Sequence, residues 1–425
     1  MVMISMNNNN KDIRQHCFIE NYPYSYAVYQ DSVYEELFQM GYCEKKMNGN
    51  FIFKCTGFIF LNNTFFIIFP KGYRLPDDNK ELIDHIRVLV STLIRYKREN
   101  KLVEEENELN SSAGEIENSV AAALWLLQDY KENNFIRRNV KKKRINHGNK
   151  INWPLTIKKV NPTISNSRPV YLNFVTEKSF EDSEHILYAL HRYVVQKSFQ
   201  KYGWLVDVLI EVDPFFDELP VNQQLALFVL QRELQNTFLE REIRLLNYII
   251  EFISGSGENN NEKTFYTLIT SYFHHVWEVI CSYVFKSEYL QLKDNIPQPV
   301  WHIKGTTKTP RQIPDILFLE QDTLYVLDAK YYDVANNLPG WHDLVKQFFY
   351  AVSLKTVYQK VVNVLIFPGS TGDKQFYHGY VDIDSRIELG SIQAYSIDTY
   401  TAMSLYSAYR TSDFRESLVR NIDLC

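Results

Sequence analysis

The stretch Ile313–Lys330 restricts the fold of this chain more than any other. It reads as two short apolar strands joined by a polar turn at Glu320-Gln321-Asp322. Asp315 opens the first strand, and Asp328 and Lys330 close the second. Strand side chains alternate between faces, so Asp328 and Lys330 share a side and Ala329 points away. Two carboxylates and an ammonium are therefore expected near one spot on a sheet surrounded by apolar residues. Burying three charges is costly unless they hold a metal or one another. The chemistry of the chain is expected here.

The neighbouring segments give this pair of strands a setting. Lys263–Phe285 reads as one helix, with Phe273, Val276, Trp277, Ile280 and Val284 on its apolar side and Glu278 embedded in it. A connector punctuated by Pro297 and Pro299 and a turn at Gly305–Pro310 lead into the strands. Trp341–Leu354 reads as a helix carrying Gln347 and Tyr350. Val361–Phe367 is a strand that is apolar apart from Asn363, followed by strands at Phe376–Ile383 and Ile392–Ser396 and a helix at Thr399–Tyr409. The order α-β-β-α-β predicts a layered α/β core, a mixed sheet flanked by helices.

A chain of 425 residues has room for two or three domains. Residues 1–103 read as an N-terminal α+β domain, with a short helix at Tyr34–Met40. In the same region, β-rich runs at Asn50–Leu61 and Thr64–Pro70 flank Asn62-Asn63, and a helix follows at Lys80–Lys101. The acidic segment Glu104–Ser112 reads as a linker. Residues 113–254 read as a mainly helical middle region with a basic β-hairpin: helices at Ile116–Tyr130, Ser183–Tyr202 and, unbroken, Pro220–Ser254. A break at Gly255–Asn261 precedes the C-terminal domain, residues 262–425.

The formal net charge is only −5, so the distribution of charge carries more information than its sum. Between Asn133 and Thr176 there is no Asp or Glu, while Arg137, Arg138, Lys141, Lys142, Lys143, Arg144, Lys150, Lys158, Lys159 and Arg168 follow one another. A helix, a basic loop with Trp153 and His147-Gly148, and a strand at Pro169–Thr176 would suit a wing resting on a phosphate backbone; a solvated basic loop is the plainer alternative. His185 and His191 lie six residues apart on different helix faces, and adjacent His274 and His275 diverge by about 100°, so neither pair suits a metal. The five cysteines form no CxxC pair, which fits a reducing cytoplasm. Met1–Lys11 has no apolar signal core, no run reaches the roughly 18 apolar residues of a membrane span, and no GxxxxGK[ST] phosphate loop occurs, so no nucleotide site is expected in this chain.

The element order and its residues resemble the PD-(D/E)XK nuclease superfamily: Pro314-Asp315, then Asp328-Ala329-Lys330, then Gln347-Phe-Phe-Tyr350, which fits the QxxY element of its RecB-like branch. Trp277-Glu278 ahead of Pro-Asp-Ile, followed by Leu-Asp-Ala-Lys-Tyr-Tyr, resembles McrC-type nuclease subunits, and the Trp153 segment followed by Pro169-Val-Tyr-Leu resembles the LlaJI-type restriction endonucleases. The resemblance implies a type II/IV-like restriction endonuclease subunit that cuts double-stranded DNA with Mg2+, or Mn2+ in its place. It also implies a separate McrB-like AAA+ GTPase, for which the N-terminal and middle regions would be the dock.

The expected roles also follow from chemistry. Asp315, Asp328 and the Ala329 carbonyl supply hard oxygen ligands for Mg2+, with Glu278 as an outer or second-ion ligand. Lys330 would orient the attacking water and stabilise developing negative charge. Gln347 and Tyr350 would face the site, touching phosphate or positioning Lys330. Arg137, Arg138, Lys141, Lys142, Lys143, Arg144, Lys158 and Lys159 are the candidate DNA contacts. Bland alternatives stand beside each: an ion pair at a strand end for Asp328 and Lys330, a turn for Asp315, ordinary helix positions for Glu278, Gln347 and Tyr350. Two other functions compete, a non-catalytic assembly factor for an NTPase and a stand-alone nuclease.

Overall fold

The structure, a computed structural model, describes residues 13–28, 32–61, 64–99, 114–147, 150–182, 186–205, 210, 213–255, 265–304, 306–308, 313–334, 337–370 and 375–423. The expected linker at 104–112, the Asn62-Asn63 turn, His185 and most of the break at 255–261 lie outside these residues, as do parts of the 305–310 turn. The chain gathers into two compact units, one of residues 118–260 and a larger one made from 4–117 together with 261–425.

In the larger unit the N-terminal part contains β1 (Cys17–Ile19), β2 (Tyr24–Ser25), α1 (Ser32–Gln39), β3 (Cys43–Lys45), β4 (Asn50–Phe53), β5 (Thr56–Leu61), β6 (Thr64–Phe69) and α2 (Asn79–Glu99). The run Asn50–Leu61, expected as one strand, is broken at Lys54-Cys55. Its halves enter different sheets, β2-β4-β3 and one that contains β1-β6-β5. Strands β5 and β6 pair antiparallel and are buried along nearly their whole length. Phe18, Phe51, Phe53, Ile59, Phe66 and Ile68 form the core shared by the two sheets. Arg95 on α2 is 7% exposed and stacks on Tyr283, Tyr406 and Tyr409 with its guanidinium 3.6–4.4 Å from the ring centres. It also donates to Glu99 and to the Tyr406 carbonyl, fixing α2 against the C-terminal part of the chain.

The unit of residues 118–260 holds most of α3 (Gly114–Asn133), then β7 (Arg138–Ile145), β8 (Lys150–Ile151), α4 (Trp153–Lys159), β9 (Thr163–Ser165), β10 (Arg168–Val170), β11 (Val175–Asp182), α5 (Ile186–Tyr202), α6 (Gln223–Asn236) and α7 (Glu240–Gly255). The basic run, expected as a loop within a basic β-hairpin, opens as a strand. Its first half is β7, paired antiparallel with β11 so that Lys143 stands opposite Glu177. The strand expected at Pro169–Thr176 is the ends of two, β10 and β11, with Tyr171–Phe174 between them. The helix expected to run unbroken over Pro220–Ser254 is also two, because Thr237 takes extended backbone between α6 and α7 and its hydroxyl donates to Glu242. Asp129 on α3 accepts two hydrogen bonds from Arg241 on α7, each 2.8 Å. His191 on α5 is fully buried, and its Nδ1 accepts from the Ile136 N–H at 3.1 Å.

The C-terminal part of the larger unit begins with β12 (Phe265–Thr270) and α8 (Phe273–Val284). The single helix expected over Lys263–Phe285 starts only at Phe273; β12 ahead of it joins the N-terminal sheet as the partner of β5, in the order β1-β6-β5-β12. Gly57, at φ +135°, makes this pairing close: a Cβ there would lie 2.1 Å from the Leu268 carbonyl and 3.0 Å from Leu93 on α2. There follow α9 (Tyr289–Leu292), a hairpin of β13 (Trp301–Ile303) and β14 (Thr306–Lys308), β15 (Ile316–Glu320) and β16 (Thr323–Ala329). The chain ends in α10 (Trp341–Leu354), β17 (Lys360–Gly369), β18 (Gln375–Val381), β19 (Ile392–Asp398), α11 (Thr399–Ser407) and α12 (Phe414–Asp423). The mixed sheet has the order β15-β16-β17-β19-β18, with β16, β17 and β19 parallel. All seven residues of β16 are buried, as a strand with neighbours on both sides requires. Val326, Leu324 and Leu317 pack with Tyr350 and Leu354 of α10 on one face.

Two outcomes test this packing. Gly57→Ala should lower stability by about 2–3 kcal/mol in urea unfolding, because the added methyl meets backbone in a conformation side chains avoid. Burial pushes the His191 imidazole down to about 4, while an unfolded imidazole titrates near 6.5. The unfolded chain thus binds more protons between those values, so the His191 contribution is complete above pH ~6.5 and lost as pH falls through ~4. Urea midpoints should rise over that window by the equivalent of up to about 3 kcal/mol, and His191→Gln should flatten the rise.

Candidate active site

The turn at Gln321, which takes φ +53°, sets the register of β15 on β16 and pairs Ile316 with Leu327. Asp315 precedes β15 directly, so that register delivers it to the end of β16, where its Oδ2 accepts the Ala329 N–H at 3.0 Å. The parallel neighbour β17 sets the same end from the other side: Asp328 lies opposite Leu365, and the Lys330 N–H donates to the Ile366 carbonyl at 2.8 Å. Asp315, Asp328 and Lys330 therefore meet at the carboxyl end of a parallel strand, where open α/β sheets hold ligands.

Asp328 is 1% exposed. Lys330 Nζ lies 2.8 Å from its Oδ2 and Lys346 Nζ 3.7 Å from its Oδ1, yet neither oxygen has a hydrogen bond of good geometry. The Asp315 carboxyl is pushed up to about 7, first by burial and then by the charges of Asp328 and Glu278; the Ala329 N–H and Lys346 work against the rise. Burial alone would loosen the Lys330 proton, but Asp328 and Asp343 outweigh it and raise its pKa, so Lys330 stays an ammonium. Asp343 holds Lys330 from the far side at 2.8 Å and accepts from the Tyr332 hydroxyl at 3.2 Å.

Helix α10 supplies one wall. Asp343, Lys346, Gln347 and Tyr350 follow the i, i+3, i+4, i+7 spacing of a single helix face. Asp343 and Lys346 were absent from the residues expected at the site, although this spacing with Gln347 and Tyr350 marks them. Gln347 is buried behind the charges. Its amide donates to Asn363 Oδ1 at 2.6 Å and to the Val326 carbonyl at 3.2 Å, which fixes α10 on β16 and β17. The Tyr350 hydroxyl donates to the Ile313 carbonyl at 3.4 Å, just ahead of Asp315. Glu278 on α8 is half-exposed, and its Oε2 lies 3.3 Å from His275 Nδ1. Its charge reaches Asp315. Ala329 is buried, with its N–H spent on Asp315.

The basic residues belong to the other unit. Arg137, Lys143, Arg144, Lys158 and Lys159 are exposed, and Lys143 pairs with Glu177 at 3.4 Å. Arg138, Lys141 and Lys142 are described only by their places in β7, opposite Asp182, Ser179 and Lys178.

The donor set suits a hard divalent cation. Two carboxylates converge: Asp328 is buried with lysines at both of its oxygens, and Asp315 holds its proton more firmly, first because it is buried and then because like charges crowd it. Among the described residues no group of three or more His, Cys, Asp or Glu side chains forms a ready cage.

Comparison with known proteins bears on this geometry. The family model of the LlaJI restriction endonuclease matches residues 55–399, a span that contains every residue just described at the site. The protein is similar to a component of the type II restriction enzyme BsuMI, YdjA of Bacillus subtilis (strain 168), at 24% identity over 392 residues, 86% of this chain and 82% of that protein. A solved half-complex from the tetradecameric assembly of Thermococcus gammatolerans McrB AAA+ hexamers with bound McrC aligns over 95% of this chain and 99% of its own. Its identity is 14% and its TM-score 0.40, too loose a likeness to rest an argument on. No described helix is long and apolar enough to cross a membrane. By the extent of the family match, this chain belongs to the LlaJI restriction endonuclease family.

Proposed function

We propose that the chain is the DNA-cutting subunit of a restriction system and that its site is of the PD-(D/E)XK type. The observation that carries the reading is the meeting of Asp315, Asp328 and Lys330 at the carboxyl end of β16 within the span matched by a restriction endonuclease family. Asp315, Asp328 and the Ala329 carbonyl would hold Mg2+, with Glu278 at its outer side; bound there, the ion would polarise the scissile phosphate and acidify a water. Lys330, fixed as an ammonium between Asp328 and Asp343, orients that water and stabilises negative charge developing on the phosphate. Lys346 adds a second, more exposed cation on the same wall. Gln347 keeps α10 seated, so the positions of Lys346 and Asp343 depend on it. Arg137, Arg138, Lys141, Lys142, Lys143, Arg144, Lys158 and Lys159 would meet the DNA backbone. The chain has no phosphate loop, and its relative is named as one component of an enzyme, so an AAA+ GTPase from a second chain is the expected source of energy.

Asp328→Ala and Lys330→Ala should each reduce plasmid cutting by at least ~100-fold while the NTPase rate of the co-purified partner is unchanged. Cutting by both variants at the normal rate would remove these residues from the reaction. Calorimetric titration of the isolated chain with Mg2+ should give a binding isotherm at pH 7.5 that Asp315→Asn abolishes. An isotherm identical in that variant would leave the ion elsewhere.

A further inference from the structure

Regular structure ends at Ala329, and Lys330 makes the last hydrogen bond to the sheet. What holds the chain just beyond the lysine is the side chain of Tyr331. Its hydroxyl donates to Glu20 Oε2 at 2.6 Å and accepts the Lys71 N–H at 2.7 Å. Glu20 Oε2 also accepts from the Thr56 hydroxyl at 2.9 Å, and Lys71 Nζ lies 3.9 Å from Glu20 Oε1. The Lys71 ammonium also covers the Tyr331 ring at 4.7 Å. Phe273, on the helix that carries Glu278, packs against that ring at 5.3 Å. Tyr331, Glu20 and Thr56 are 8%, 7% and 0% exposed.

The polar partners all come from the ends of N-terminal strands. Glu20 follows β1, Thr56 opens β5 and Lys71 follows β6, and Glu20 lies ahead of the span matched by the family model. The Tyr331 hydroxyl is buried with both a donor and an acceptor partner, so any shift of Tyr331 strands one of them away from water. Lys330 is therefore pinned on both sides, by a sheet hydrogen bond before it and by the Tyr331 hydroxyl after it. The ammonium it carries must sit between Asp328 and Asp343 to act, and displacement by an ångström is enough to cost a large factor in rate.

We propose that Tyr331 and Glu20 are positioning residues for Lys330, so that the end of β1 that carries Glu20 supports the nuclease site while the rest of the N-terminal sheet does not act on it. The proposal rests on the nuclease reading above. The test compares Tyr331→Phe with Phe58→Leu, a substitution in the core of the same N-terminal sheet, in the full chain with its partner at a temperature where both are folded by circular dichroism. Tyr331→Phe should lower kcat for plasmid cutting by tenfold or more and leave KM for DNA within twofold. Glu20→Ala should do the same, and Glu20→Gln, which can still accept from Tyr331, should recover most of the rate. Phe58→Leu should cut at the wild-type rate despite its lowered Tm. Cutting by Tyr331→Phe at the wild-type rate, or a loss no larger than that of Phe58→Leu, would overturn the proposal. Wild-type protein that shows no cutting dependent on Lys330 would instead overturn the nuclease reading itself.

Discussion

Asp328 is the constraint on which the rest of the C-terminal core depends. A carboxylate on a strand buried along its whole length is stable only if its charge is answered. Two lysines answer it in part, Lys330 from its own strand and Lys346 from α10. Each of these needs support in turn. Lys330 leans on Asp343, Asp343 on Tyr332, and α10 is held to the sheet by the Gln347 amide and Asn363. Asp315 then adds a second carboxyl that resists ionisation, first because it is buried and then because Asp328 and Glu278 are near. The charges thus form one linked set, in which each buried group depends on the next.

The sequence exposes this centre because the physics is local. Ile313–Lys330 reads as two strands from its apolar runs and its turn, and the structure has β15 and β16 there with Gln321 in the turn. The helix at 341–354 and the strands near 361–367 and 392–396 likewise follow from periodicity and length. The errors have physical causes. Phe265–Thr270 has no Gly or Pro to separate it from α8, so its apolar pattern merges with the helix; its strand state comes from pairing with β5, far away in the chain. The division of Pro220–Ser254 turns on one extended residue, Thr237, which no helix breaker announces. The basic β-hairpin expected in the middle region has its first strand at β7, but its partner is β11, beyond β8, α4, β9 and β10, and no local signal in the run points that far.

Contacts of long sequence separation were beyond reach. Glu20 and Tyr331 are 311 residues apart, and nothing in either local sequence points to the other. The same holds for Arg95 among its three tyrosines, two of which, Tyr406 and Tyr409, lie more than 300 positions later. Both are polar or charged groups buried between the chain's first hundred residues and its C-terminal part. The N-terminal strands thus read from sequence as a separate domain, while their polar ends complete the surroundings of Tyr331.

The pairing of β12 with β5 has a consequence for how such a chain is made. Leu61 finds its partner, Phe265, only after roughly 200 further residues have been added, which at ordinary rates of synthesis takes on the order of 10–40 s. Throughout that interval the β5 edge is a row of open hydrogen-bonding groups beside an apolar core, the kind of edge that recruits stray strands. The residues added in that interval include the separate unit 118–260. The sheet closes late, and the last strand it receives leads within a few residues into the helix that bears Glu278. The strand that completes the N-terminal sheet and the helix that bears Glu278 are therefore made within a few residues of one another.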